Sequence, residues 1–193
     1  MPDGSLPDLV GGRESSYPAS TIGAMRSRYD ICDHPHVEMI SMTDVTFRPA
    51  QAADLPAIIA LLSDDVLGQQ REDPNSPPNP RYVDAFQAIL ADPNQLQAVA
   101  TLHKEVVGTL QLTFIPGLAR KGAWRGQIEG VRVSVAHRGS GVGQQMFEWA
   151  IGQCRARGCT LVQLTSDRER PDAHRFYEKL GFVGSHVGYK LAL

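Results

Sequence analysis

Cysteine is scarce in this chain. Cys32, Cys154 and Cys159 are the three present among 193 residues. They are too few, and odd in number, for a disulfide framework, and they suit a reducing compartment where thiols act as small apolar groups. No segment approaches the roughly 20 consecutive apolar residues of a membrane-spanning helix. The Met1-Pro2-Asp3 start lacks a basic and then apolar signal, so the expected compartment is the cytoplasm. Charge of one sign is also lacking: the formal net charge of -2 gives no overall pull toward nucleic acid. Neither a membrane nor a nucleic acid is therefore expected as a partner. What the chain does have is 42% apolar residues, enough to bury the core of one domain and to exclude wholesale disorder.

Composition divides the chain near Asp44. Residues 1–44 hold seven acidic side chains against three arginines, with little apolar periodicity, and are expected to be a disordered acidic extension. Cys32, His34 and His36 in that extension are spaced as half a metal site, but no second ligand pair accompanies them, and no metal is expected. From residue 45 to 193 the pattern is regular. Val45–Pro49 reads as a strand, and Asp54 stands as a cap before an amphipathic helix through Leu62. The four prolines between Glu72 and Pro80 mark a loop, followed by a helix carrying Tyr82, Phe86, Ile89 and Leu90. Gln97–Leu102 and Val106–Ile115 form an expected hairpin around His103, Lys104 and Glu105. A strand over Gln127–Val135, a helix over Gly141–Arg157 and a strand over Thr160–Thr165 make a βαβ unit with parallel strands. A helix over Asp172–Leu180 and a β pattern over Phe182–Leu193 complete the chain.

Within the βαβ unit, Arg138-Gly139-Ser140-Gly141-Val142-Gly143 joins strand to helix. Three glycines permit positive φ and close backbone approach, and the first N–H groups of the helix have no acceptor of their own. An anion such as a diphosphate suits that position. The spacing is neither G-x-G-x-x-G nor a P-loop; it is R-x-x-G-x-G. A second motif follows in Ala173-His174-Arg175-Phe176-Tyr177-Glu178-Lys179-Leu180-Gly181-Phe182.

Together, and in this order, the two stretches resemble the GCN5-related N-acetyltransferase (GNAT) superfamily. The first resembles its acyl-CoA pyrophosphate loop, and the second its A-x-x-F/L-Y-x-K-x-G-F segment. The resemblance implies an α/β (α+β) fold, a mixed central sheet that splays between the fourth and fifth strands and is flanked by helices. It implies acetyl-CoA as acyl donor, with pantetheine paired to the backbone of Val133 and Val135. The pyrophosphate would be held by Arg138, Gly139, Ser140, Gly141, Val142, Gly143 and Gln144. Many members carry an asparagine three residues before the alanine of the second motif; this chain departs from that pattern with Arg170, a residue that could still reach a polar group of the cofactor.

Acetylation of an amine requires loss of a proton, since an alkylammonium has a pKa of about 10. Glu129, which simple alternation places on the face of Val131, Val133 and Val135, is the candidate base, and pairing with Arg125 or Arg132 is its competing role. Tyr177 is implied by the resemblance as the acid that protonates the departing sulfur. Ser185, His186, Tyr82, Phe86, Phe114 and Trp124 are candidates to border an acceptor pocket, His174 stands as a surface or acid-base residue, and Cys154 fits the helix core. Arg120, Lys121 and Arg125 make a basic turn, a solvated loop or a contact for a carboxylate or phosphonate. The expected partner is a small-molecule primary amine, with homodimerisation left open. Acetylation of a protein lysine or N-terminus, and acyl-CoA sensing without turnover, are the alternatives.

Overall fold

The computed structural model describes residues 44–64 and 66–193, with the side chains of Val66 and Leu67 excluded. The acidic extension, with Cys32, His34 and His36, lies outside the described residues. Strand β1 (Thr46–Pro49) leads to helix α1 (Leu55–Leu62), a single turn α2 (Val66–Gln69) and α3 (Pro80–Ala91). Then come β2 (Gln95–Leu102), β3 (Glu105–Pro116), the single turn α4 (Ala119–Gly122) and β4 (Trp124–Val133). Helix α5 (Val142–Ala156), β5 (Cys159–Leu164) and α6 (Pro171–Lys179) follow.

The five strands lie in sequence order in one sheet. The first three pairings are antiparallel and β4 pairs with β5 in parallel, so the sheet is mixed as expected. One face packs on α1 and α3 through Leu55, Ile58, Ile59, Phe86 and Val99. The other packs on α5 through Leu110, Leu112, Ile128, Val142, Met146, Phe147 and Ala150. Removing this apolar surface from water, at about 25 cal/mol per Å², is the main force holding the layers together.

Asp54 heads α1, but it does not cap it. Its carboxylate turns back to accept two hydrogen bonds from the Arg48 guanidinium (2.7 and 2.8 Å) and one from the Gln51 N–H (2.7 Å). An arginine fork across β1 offers more than one helix N–H does, and it holds the Asp54 carboxyl below the usual carboxylate range. The Phe182–Leu193 expectation also changes: no strand forms there. Alternation alone does not make a strand without a ladder partner, and Val183, Tyr189 and Leu191 stay exposed.

Candidate active site

The site grows out of one defect and one ending in β4. Along β3 the step from Thr109 to Gln111 covers two residues, while the partners on β4 run from Arg132 to Glu129 and cover three. The extra residue is a β-bulge, and Gly130, with φ of 60°, supplies its left-handed backbone. Residues directly opposite each other share a face. Glu129 and Arg132 therefore lie on the α1 side with Gln111 and Thr109, whereas Val133 lies on the α5 side with Gly108. This corrects the expectation from alternation, which put Glu129 and Val133 on one face. Glu129 is exposed.

Parallel pairing of β4 with β5 runs from Trp124–Cys159 to Ile128–Leu164 and then stops. Residues 129–133 of β4 consequently have β3 on one edge and no strand on the other, which is the splay between fourth and fifth strands. β4 ends at Val133, two residues earlier than expected. Val135 belongs to a 3-10 turn, Val135–His137, whose shape is set by hydrogen bonds from His137 N to Ser134 O (2.8 Å) and from Ser140 Oγ to His137 O (2.7 Å).

The glycine turn follows at the end of the open edge. Gly139 and Gly141 adopt φ of 79° and 90°, conformations costly for a residue with a Cβ. A Cβ built on Gly139 would meet nothing within 4 Å, so its backbone is open to a ligand. Gly141 starts α5 with no side chain accepting from the first turn, leaving the positive end of the dipole facing outward. At Gly143 a Cβ would sit 3.7 Å from the Phe176 ring and 3.8 Å from Val133, so the first turn of α5 lies close against β4 and α6. These features fit a diphosphate. Arg138 turns the other way, donating from Nε to Val133 O (3.1 Å) and from Nη2 to Asp64 O (3.1 Å).

Tyr177 projects from α6 into an aromatic cluster with Phe147, Phe176 and Phe182. Burial pushes its phenol up from the ordinary value, and the positive charges of Arg170 and Arg132 oppose that shift. Arg170, which forms the N-cap of α6, is thus within electrostatic reach of the phenol. The positions that Arg132 and Asp64 take up in the site escape a reading of the sequence. Their placement depends on the bulge and on a contact 71 residues distant, for which no local spacing gives a signal.

Other candidates fall elsewhere. Phe86 and Phe114 are core residues at 4% and 6% exposure, and Trp124 packs against the α5 core at the paired end of β4. Tyr82 fixes the proline-rich loop, donating to Glu72 and accepting from the Asp73 N–H. One ring nitrogen of His174 lies 2.7 Å from Asp167 O, and Ser185 Oγ bonds His186 Nδ1 at 2.8 Å. Arg120 and Lys121 form the left-handed turn before Trp124, at the paired end of β4 away from the open edge. Burial pushes the Cys154 thiol up to about 11, which suits a core group rather than a nucleophile. Among the described residues no group of three His, Cys, Asp or Glu could hold a metal ion, and no helix is long and apolar enough to cross a membrane.

Comparison with known proteins agrees with this geometry. An aminoalkylphosphonate N-acetyltransferase of Salmonella typhimurium is 36% identical over 112 residues, which are 58% of this chain and 72% of that protein. A structure described as a transcriptional regulator from Bacillus halodurans C-125 is 49% identical with a TM-score of 0.75, covering 77% of this chain and 99% of that one. The fold is shared also with a structure from Clostridium acetobutylicum, described as a predicted acetyltransferase with acetyl-CoA. It is 18% identical with a TM-score of 0.61, over 77% of this chain and 96% of that one. The model of the acetyltransferase (GNAT) family matches residues 62–182, the stretch that holds the open β4 edge, the glycine turn and Tyr177. The chain belongs to the GNAT acetyltransferase family and is an acyl-CoA-dependent N-acyltransferase.

Proposed function

We propose that this enzyme, formed by residues 45–193 and working in the cytoplasm, transfers the acetyl group of acetyl-CoA to the primary amine of a small molecule. An aminoalkylphosphonate or an amino acid is the favoured class, by direct attack in a ternary complex. The observation that carries the reading is the unpaired edge of β4 leading straight into the outward-facing start of α5. The name of the Salmonella typhimurium relative supports the class of acceptor.

Acetyl-CoA, when bound, supplies the acetyl group as a thioester. The chain's own residues supply position and protons. Backbone groups of Val133 and Val135 offer pairing to an extended pantetheine arm, and the N–H groups from Gly139 to Gln144 hold the diphosphate. Arg170 contributes a cation at the head of α6. Glu129 accepts the proton that an ammonium must lose before its lone pair can attack, directly or through water. The Tyr177 hydroxyl, a phenol whose pKa burial raises above the ordinary value, gives its proton to the departing sulfur, and the second proton shed by the nitrogen as the amide forms restores it through solvent. Bringing both substrates into one cleft supplies much of the rate, and no covalent intermediate on the protein is required.

The test is release of free thiol from saturating acetyl-CoA across a panel of aminoalkylphosphonates, amino acids and lysine peptides. Turnover confined to the small amines is expected. Turnover confined to peptides would replace the acceptor class. Binding without release for any amine would favour the sensing role, with which the name of the Bacillus halodurans relative is compatible.

A further inference from the structure

The two backbone groups assigned above to the pantetheine arm already have partners inside the chain. Val133 O accepts from Arg138 Nε at 3.1 Å, and the Val135 N–H donates to Asp64 Oδ2 at 3.2 Å. The two side chains that do this are themselves linked. Arg138 Nη2 donates to Asp64 O at 3.1 Å and lies 3.6 Å from the Asp64 carboxylate. Asp64 stands just past the C-terminus of α1, so one acidic residue spans from that helix to the end of the open β4 edge.

The geometry points to Asp64 as a built-in competitor for the cofactor, a residue that sets acyl-CoA affinity by occupying the Val135 amide and by engaging Arg138. The inference rests on the cofactor reading given above. An arm carbonyl seeking the Val135 N–H must displace a carboxylate, and an arm amide seeking Val133 O must displace a guanidinium. The diphosphate provides the compensation. It carries more negative charge than Asp64, so Arg138 exchanges one anionic partner for a stronger one, while Asp64 is repelled.

The exchange is within reach because the contacts are only half covered. The Arg138 and Asp64 side chains are 47% and 40% exposed, and an exposed ion pair at such a distance contributes about 1 kcal/mol or less. A hollow of about 310 Å³ between α1 and the end of β4, walled by Ala57, Ala60, Leu61 and Val106, also gives the displaced carboxylate room to turn.

Titration calorimetry with acetyl-CoA on the full chain tests this. Removing the competitor in Asp64→Ala is expected to tighten binding about 3- to 10-fold, the range for loss of one modest charged hydrogen bond, and to lower KM for acetyl-CoA by the same factor. Asp64→Asn, which keeps an acceptor oxygen without the charge, is expected to tighten binding less. A residue that merely supported the fold would give the opposite sign. Equal or weaker binding by both variants, with melting curves that show them folded, overturns the inference. Gly141→Trp serves as the separate control: wild-type affinity in that variant defeats the cofactor reading itself, whereas loss of binding there with no gain in the Asp64 variants defeats only the role of Asp64.

Discussion

The ring of Tyr177 stands 5.5 Å, centroid to centroid, from that of Phe147, a core residue with no exposed surface. This contact gives the phenol an apolar backing and fixes where its hydroxyl points, so the group is positioned by packing before any substrate arrives. Tyr177→Phe preserves the ring and removes only the proton donor. It is expected to lower kcat roughly 100-fold, at the lower end of the range for a general acid, with acetyl-CoA affinity nearly unchanged. Single-turnover and equilibrium binding measurements separate the two, and an unaltered kcat removes Tyr177 from the chemistry.

Arg170 and Arg132 favour the ionised phenol, against the larger effect of burial. A donor must be protonated, so activity that depends on Tyr177 declines as pH rises through its folded pKa, which lies above 10. Taking away a cation raises that value further. Arg170→Met should therefore move the alkaline limb of the kcat profile to higher pH. A limb that stays in place, or shifts to lower pH, contradicts the electrostatic coupling between Arg170 and the phenol.

Arg48 and Asp54 offer a stability test remote from the cleft. Asp54 is 8% exposed and its carboxyl is depressed, chiefly by hydrogen bonding to Arg48. Its contribution is thus present above the unfolded value of about 4 and lost as pH falls through the lower folded value. Arg48→Met strands a nearly buried carboxylate and is expected to cost about 1–3 kcal/mol at neutral pH. The variant should also lose less stability than the parent on acidification below pH 4, as urea titrations at several pH values would show. Parallel curves for the two proteins would refute the pairing.

Gly126 and Cys154 are matched across the sheet and α5. A Cβ added at Gly126 would overlap the Cys154 sulfur, which is fully buried and has little freedom to move. Gly126→Ala should destabilise by about 1–3 kcal/mol through overpacking, and Cys154→Ala in the same chain should recover part of that loss. A double-mutant cycle reads the coupling directly, and strict additivity would dismiss the contact.

The parts of the site legible in the sequence are those where backbone conformation dictates residue type. Gly139 and Gly141 need positive φ, so the turn is written in glycine. Tyr177 was legible through a motif whose spacing along α6 survives any detail of packing. Other features were hidden for physical reasons. His103 and Lys104 make a two-residue hairpin turn with φ of 49° and 72°, where glycine or asparagine is the usual signal, so a three-residue turn was expected instead. Gly130 did carry a signal, since an isolated glycine inside a strand marks a bulge, and reading β4 as regular misplaced Glu129. Asp64 had no local pattern at all, because its part is defined by Val135 and Arg138 far along the chain.

That single surplus residue in β4 has a consequence for anyone redesigning the enzyme. Straightening the strand with Gly130 kept in the pairing would restore an even zigzag and turn over everything between it and the strand end, as rotating one half of a zip reverses which teeth show. Arg132 would be driven toward the oily layer beneath α5 and Val133 toward the water-facing groove. An identical set of amino acids would then build a cleft of inverted polarity.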